Sequence, residues 1–584
     1  MSQKKLKKLR KIEVLQSRIK NDKESIFEPI LGFRQIIKEN WKFLLILIVG
    51  IFILYFNGLH GDFVSDDYAT ITQNPDVKNF SVMLKMKSVP SLSNSIIAIF
   101  FGTTSSFPYH LHNLILYLLI LVVAFVFVFL VTKNKLTSRL TLILYAVLPV
   151  HAETISWISG KPYLFVAFFL LLSLDLLILF LNKKEKKYLW LLFPSLFFLF
   201  FSDPIRGSAI IIVGLLYFLT FRKTFNNNLK IWPVFTALSV IVLALAIYAW
   251  PMIQTRITTV NGGYNGSEGI FYNPFFQYPT AIAKYLQIML FPIDLTLYHT
   301  MYILPVWLNW MILLTFLTSV GYFLFKDKKI FFALTFIFLA TAPSMAPVKV
   351  SWLVAERYVL LGSLGLCLFL VLFFQRFGKK WKLPFFVLFV IFTSLYSVRV
   401  FLRNIDWQTN HNLWVSTCQV SPNSHNAWNN IGDDYDKLAQ LETTDEGKIK
   451  QYLNSIKGFT RSTLVKTNYA DAFHNRANIF YKIGRYDLAR DSYETGLSYG
   501  PNLYQSYFSL LQIDLIEKRY DLAMDHLNRL HTVKPNDIQV YYVTAVVYAN
   551  AGMVDESKKL LTQMLEAYPQ FQQAKDLLDQ LSKM

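Results

Sequence analysis

"AFHNRANIFYKIGRYDLARDSYETGLSYGP", residues 472–501, decides how the last third of the chain folds. Small Ala477 and Ala489 stand where two paired helices must approach closely, Gly484 falls between them, and Pro501 closes the unit. The punctuation then repeats. Pro501, Pro535 and Pro569 are spaced 34 residues apart, and so are Gly484, Lys518 and Gly552. Ala489, Ala523 and Ser557 keep the same step, as do Tyr486, Tyr520 and Val554.

A period of about 34 residues is that of the tetratricopeptide repeat, a helix pair that buries its apolar face only by stacking on its neighbours. The clearest repeats cover 470–569, and the tail "FQQAKDLLDQLSKM" reads as a solvating cap helix. A looser unit begins at "SPNSHNAWNNIGDDY" (421–435) and is stretched near "LETTDEGKIKQ" (441–451). Such stacks bind proteins or peptides along a concave face, so a protein partner or a protein acceptor is expected for this part. A scaffold that only steadies the rest of the chain is the plainer reading.

Upstream the composition changes. The chain has 584 residues, 54% of them hydrophobic and 16% aromatic, with 51 phenylalanines. Apolar runs recur from about 42 to 401, which predicts a polytopic helical membrane domain. The all-α architecture expected is therefore a basic N-terminal segment (1–41), a membrane domain (42–401) and an α-solenoid (402–584). Eleven spans are expected, near 42–57, 111–131, 139–150, 162–181, 188–201, 208–221, 231–251, 304–325, 330–342, 358–375 and 384–401.

The net charge of +20 calls for no nucleic acid. Its cations gather in "MSQKKLKKLRK" and in the short loops 132–139, 183–187, 222–230, 326–329 and 376–382. With the N-terminus inside, all of these loops fall on the cytoplasmic side, and an odd span count puts the repeats outside. The polar tail before the first apolar run argues against a cleavable signal peptide and suggests an interfacial helix. Cys367 lies in an expected span and Cys418 outside it, so no disulfide holds the repeats.

The outer loops of this topology collect ionisable groups, which at membrane depth are functional or paired more often than incidental. "NGLHGDFVSDDYATITQNPDVKN" (57–79) carries Asp66 and Asp67. "LPVHAETISWISGKPY" (148–163) carries His151 and Glu153, and "FSDPIRGS" (201–208) carries Asp203 and Arg206. A long fourth loop spans roughly 252–303, and the fifth (342–365) carries Lys349, Glu356 and Arg357.

Plainer readings exist. Asp66 and Asp67 would serve as hydrated loop acids, and Glu356–Arg357 as an ion-paired helix start. His151 with Glu153 lacks the ligand count of a metal site. No Walker loop, GxSxG or HExxH occurs, which leaves soluble-type NTPase, hydrolase and protease chemistry without support. Acids beside cations suit transfer of a lipid-phosphate-borne group: a carboxylate deprotonates an acceptor hydroxyl while cations hold the departing phosphate.

Four stretches carry a family resemblance. "DFVSDDYATITQNPDVKN", "LPVHAETISWISGKPYLFVAFFLL", "VAERYVLLGSLG" and "RNIDWQTNHNLWVSTCQVSPNSHNAWNNIG" occur in this order. Together the chain resembles the transmembrane-and-tetratricopeptide protein O-mannosyltransferases and their bacterial relatives, within the GT-C glycosyltransferases. The resemblance spans about residues 40–570. Leu360 and Gly362 stand where the family usually has Tyr and Pro, Leu148 replaces a His, and Ser202–Asp203 replace a Lys-Glu pair.

The resemblance implies an inverting transfer of a mannose-like sugar from a polyprenyl-phosphate donor to Ser/Thr hydroxyls of an exported protein. Asp66 would be the general base, with Asp67 supporting it or orienting the acceptor. His151, Glu153, Arg206 and Arg357 would organise the lipid phosphate, with Glu356 holding Arg357. Some GT-C enzymes place a divalent cation at the acidic pair, which leaves that cation an open expectation here, while the nearest relatives do without one. No metal ligand set is assigned. A lipid or cell-envelope glycan acceptor, an inactive membrane-anchored scaffold, and a transporter are the competing expectations. Against the transporter, no inverted halves or Gly/Pro-broken midplane helices are evident. The composition favours a bacterial cytoplasmic membrane with the repeats outside; in a eukaryote it would be the endoplasmic reticulum.

Overall fold

A computed structural model of the chain describes residues 31–222, 273–342 except 301 and 303, 352–376 and 382–583, with isolated positions between 236 and 258. The N-terminal segment up to residue 30, most of the span expected at 231–251, the segment 259–272 and Lys349 lie outside the described residues. Every described element is helical, and two compact units separate at Leu413 and Trp414.

In the first unit α1 (Phe33–Leu54) leads through the loop carrying Asp66 to α2 (Val89–Phe101) and α3 (Phe107–Thr132). There follow α4 (Lys135–Ala146), α5 (Lys161–Lys183), α6 (Lys186–Ser202) and α7 (Ala209–Phe221). Later come α8 (Pro274–Leu290), α9 (Val306–Lys326), α10 (Lys328–Thr341), α11 (Gly362–Arg376) and α12 (Lys382–Asp406). Tight reversals explain why α3 and α4, and α5 and α6, follow one another so closely. Lys133 (φ 55°) and Lys184 (φ 57°) take the left-handed conformation that ends a helix. Asn134 then caps α4 by accepting from the Thr137 amide at 2.9 Å.

The expectation of eleven spans is corrected. Five helices among the described residues are long and apolar enough to cross a membrane: 107–132, 158–183, 204–221, 306–326 and 383–406. The physical reason is length and charge. Helices α4, α10 and α11 have 12, 14 and 15 residues, against the roughly 20 that a hydrocarbon core requires. Helix α1 has 22 residues but spends its first turns on Arg34, Lys38, Glu39 and Lys42. The fourth loop is also not all loop, since α8 occupies 274–290 with Asn273 as its cap. The multi-pass helical character stands.

The second unit is a stack of antiparallel pairs: α13 (His425–Leu441) with α14 (Asp445–Val465), α15 (Ala470–Lys482) with α16 (Tyr486–Tyr499), α17 (Tyr504–Ile516) with α18 (Tyr520–Val533), and α19 (Ile538–Asn550) with α20 (Val554–Ala567). Helix α21 (Gln572–Lys583) closes the end. Ala477, Ala489, Ala523 and Ser557 are all fully buried where the pairs meet.

The 34-residue step reappears in the turns. Gly484 (φ 76°), Lys518 (φ 57°) and Gly552 (φ 84°) are all left-handed. Each is followed by the same six-residue closure: Arg485 N to Phe480 O, Arg519 N to Asp514 O and Met553 N to Tyr548 O, at 2.9, 2.8 and 2.9 Å. The stretched first unit proves to be a longer second helix, with α14 running to 21 residues. Helices α13 and α14 cross at Gly458, where an added Cβ would lie 2.9 Å from the backbone of Gly432.

Candidate active site

The loop after α1 is held from several sides. Ser106 Oγ donates to the Gly61 carbonyl at 2.5 Å, and the His110 ring meets the same oxygen at 3.1 Å. From beyond α12, the Gln408 carbonyl accepts from the Asp62 amide at 2.7 Å, and Asn410 Oδ1 accepts from the Ser65 amide at 2.9 Å. Ser65 itself is left-handed (φ 53°), a strained conformation that persists only where its surroundings enforce it. The strain falls one residue before Asp66.

The two acids are not equivalent. Asp67 is fully buried. Its Oδ2 accepts from the Val64 amide at 3.1 Å, and its Oδ1 accepts from the Ser159 amide and hydroxyl at 2.8 and 2.5 Å. Burial pushes its pKa up to about 7; the bonds from Ser159 and Val64 work against that and the Asp66 charge adds to it. Asp66 stays exposed. Protein crowded around it raises its pKa, and the charge of Arg357 draws it back down. Asp67 is thus a clamp between the first and second outer loops, and Asp66 is the acid left open.

Glu153, on the short helix Ala152–Ser156, is fully buried. One of its oxygens pairs with the Arg357 guanidinium and the other accepts from the Arg357 amide at 3.0 Å. Glu356 does not hold Arg357. Adjacent residues on the 3-10 turn Glu356–Val359 point to different sides, and Glu356 instead receives Arg403 at 2.8 Å. Arg403 also reaches Asp406 at 3.0 Å. Trp157 and Trp407 stack between the two ion pairs with centroids 5.8 Å apart. Arg357 lies over Trp157 and Arg403 over Trp407, each 5.6 Å from its ring.

His151 sits deeper. Its Nδ1 meets the Tyr117 hydroxyl at 2.8 Å and its Nε2 the Ser363 hydroxyl at 2.9 Å, while Tyr145 packs edge-on at 4.6 Å. Burial lowers its pKa to about 3, so the ring is neutral. Both nitrogens are committed to the protein, and His151 bridges α3 to α11.

Arg206 pairs with Asp203, whose Oδ1 also caps the short helix Pro204–Gly207. Its guanidinium lies 4.7 Å from the Tyr163 ring and 5.1 Å from Tyr358; Arg357 faces the same two rings at 6.0 and 5.0 Å. Both arginines line one cleft, with apolar walls of Val166, Leu170, Val213, Phe336 and Leu361. The structure thus brings Glu153, Arg206 and Arg357 together, sets Asp66 within the field of Arg357, and keeps His151 and Glu356 apart from the cleft.

Sequence reasoning missed Ser159, Asn410, Arg403, Tyr163 and Tyr358. Arg403 and Asn410 announce themselves as a polar burst, "RNIDWQTNHN" (403–412), straight after an apolar run. The residues do not fit a divalent cation at the acidic pair. Both Asp67 oxygens already accept N–H or O–H donors, and no group of three His, Cys, Asp or Glu converges among the described residues.

Tetratricopeptide-repeat profiles match residues 470–502 and 514–581. The human protein O-mannosyl-transferase TMTC3 is 25% identical over 229 residues, 38% of this chain and 22% of that protein. The Drosophila melanogaster Tmtc3 is 24% identical over 221 residues, 35% of this chain and 22% of its own. The matches therefore span about a fifth of those relatives' length. A crystal structure of the MamA protein overlaps 27% of this chain and 80% of its own, at 17% identity and a TM-score of 0.23. The chain carries tetratricopeptide repeats beside a membrane-type helical unit and is distantly homologous to the O-mannosyl-transferases just named.

Proposed function

We propose that this protein is a membrane glycosyltransferase of the GT-C type. It moves a mannose-like sugar from a polyprenyl phosphate to a Ser/Thr hydroxyl of an exported protein. The observation that carries the reading is the cleft shared by Arg206 and Arg357: two guanidiniums beside apolar side chains of α5, α7 and α10, within the electrostatic reach of an open carboxylate. The cations match a phosphate and the walls match a polyprenyl chain; the space between them is about 30 Å³, so the walls must part for the donor to enter. Each guanidinium has five donors and yields only part of them to its carboxylate, leaving others for phosphate oxygens.

Asp66 takes the proton of the acceptor hydroxyl. The hydroxyl oxygen attacks the anomeric carbon on the face opposite the phosphate, the new glycosidic bond forms with inversion, and the carbon–oxygen bond to phosphate breaks. The electron pair leaves on the polyprenyl phosphate, where Arg206 and Arg357 stabilise it. Asp67, bound to Ser159 and Val64, fixes the loop that presents Asp66. Glu153 fixes Arg357, and His151 and Glu356 hold the surrounding helices. No step requires a cofactor. The repeats favour a protein acceptor on the outer face of a bacterial cytoplasmic membrane, or the lumenal face of the endoplasmic reticulum.

The test is sugar transfer in membranes from a panel of radiolabelled polyprenyl-phosphate sugars, native chain against Asp66→Asn. Label entering protein only with the native chain supports the reading. Label confined to lipid or glycan moves the acceptor, and no transfer from a folded chain with any donor leaves a scaffold.

A further inference from the structure

A second cleft lies at the other end of the same helices. It is formed where the first turns of α1 meet the end of α5 and the start of α6, and its volume is about 920 Å³. Helix α1 runs from this cleft to the Asp66 loop, and α5 runs from the Ser159 loop back to it. At about 1.5 Å per residue the two ends are roughly 30 Å apart, one hydrocarbon thickness. The cleft is therefore separate from the candidate active site and does not depend on the transferase reading.

Its rim is cationic: Arg34 and Lys38 from α1, Lys183 from α5 and Lys187 from α6. Glu185 pairs with Lys183 and Lys187. Among the described residues no carboxylate pairs with Arg34 or Lys38. The N-termini of α1 and α6 add their positive dipole ends, with no side chain capping either one. Gly32 keeps the entrance open, because a Cβ there would come within 3.1 Å of the Tyr188 hydroxyl and 3.6 Å of the Lys183 ammonium.

Below the rim the cleft turns apolar, with Phe169, Leu172, Leu176, Leu191 and Phe198 as its walls. Phe169 and Phe198 stack at 5.3 Å where the groove ends. From Lys183 to Phe169 along α5 is about 21 Å. That suits a lipid confined to one leaflet, since half of a bilayer about 40–45 Å thick with its headgroups is about 20–22 Å. A polyprenyl chain would run well beyond it, and a free phosphate would leave the walls bare.

We propose that this cleft binds an anionic phospholipid, its headgroup phosphate on Arg34, Lys38, Lys183 and Lys187 and an acyl chain along the Phe169–Phe198 groove. Its own cluster of four cations places it in the cytoplasmic leaflet, where basic pockets between helices select anionic headgroups. The bound lipid ties α1 to the α5–α6 hairpin.

The test uses the full chain in detergent, titrated with phosphatidylglycerol, phosphatidylcholine of the same chains, polyprenyl phosphate, and inorganic phosphate, with thermal unfolding as the readout. Phosphatidylglycerol alone should raise the Tm, and R34Q/K38Q should weaken its binding on the order of tenfold while leaving the lipid-free Tm in place. A photoactivatable phosphatidylglycerol should label residues 31–38 and 169–198 in the native chain, a readout that stands even where R34Q/K38Q fails to fold. Equal shifts from the two phospholipids would mean ordinary annular lipid. A shift from inorganic phosphate, loss of the label to competing polyprenyl phosphate, label elsewhere, or undiminished binding in folded R34Q/K38Q would each overturn the proposal.

Discussion

Glu153 holds Arg357 at two points, side chain to side chain and carboxylate to backbone amide, the latter at 3.0 Å. The residues are 204 positions apart in sequence, and their bond fixes both the position of the guanidinium and the turn that carries it. Removing one partner of a buried pair costs about 3–5 kcal/mol, more than removing both. Glu153→Ala is therefore expected to lower the Tm sharply. Glu153→Gln paired with Arg357→Met should recover most of the lost stability without recovering sugar transfer. Thermal unfolding of Glu153→Gln, Arg357→Met and the double variant measures the coupling; additive losses would show that the pair does not act as a unit.

Asp66 and Asp67 separate by role. Asp66→Asn removes the open carboxylate, and loss of a general base costs about 10²- to 10⁴-fold in rate. Its Tm should stay near the native value because, among the described residues, the Asp66 side chain accepts no hydrogen bond from a neighbouring loop. Asp67→Asn must turn an amide N–H towards Val64 N, Ser159 N or Ser159 Oγ. It should lower the Tm and raise susceptibility to proteolysis within 57–79. Equal effects of the two substitutions on rate and Tm would contradict the division.

The acid limb of the transfer rate against pH tests the electrostatics. Burial raises the Asp66 pKa and Arg357 opposes that rise, so the limb should lie above the ordinary aspartate range. In Arg357→Gln the opposing charge is gone, and the limb of the residual activity should move further up. A downward or absent movement would mean that Asp66 is not the base being titrated.

Much of the fold was legible because it is periodic. The 34-residue step names helix pairs, and the apolar runs fall on helices wherever the residues are described. Span count was not legible, because hydropathy cannot tell a 14-residue buried helix such as α10 from a crossing one. The acids of the site were visible as charge beside apolar runs. Their partners were not: Glu153–Arg357 and Ser159–Asp67 join loops brought together only by packing. Neighbours in sequence invited the pairing of Glu356 with Arg357, whereas the turn sends Glu356 to Arg403.

Lys518 stands at the left-handed turn position that Gly484 and Gly552 occupy in the neighbouring repeats. A side chain there costs about 1 kcal/mol through the clash of Cβ with the following carbonyl. Lys518→Gly relieves that strain but gives the unfolded chain more freedom. Relief of the strain outweighs the added freedom, and the Tm should rise by a few degrees. A fall in Tm would mean that the Lys518 side chain stabilises the turn through contacts of its own.

His526 joins three helices of the repeat stack. Its Nδ1 meets Asp514 on α17 and its Nε2 meets Glu494 on α16, both at 2.6 Å. Arg490 pairs with Asp514 as well, and Arg529 reaches Glu494 at 3.2 Å. Burial alone would lower the His526 pKa, but the bonds and charges of Asp514 and Glu494 outweigh it and raise the pKa to about 9, from an ordinary 6.5. The native state therefore binds the proton more tightly than the unfolded chain does. This contribution to stability is complete below pH 6.5 and is lost as the pH rises through about 9. Thermal unfolding of the repeats within the full chain should show the Tm falling across that window. In His526→Gln the Tm should be lower at pH 6 and nearly flat from 6.5 to 9. A native chain as flat as the variant would mean that the proton is not held by this network.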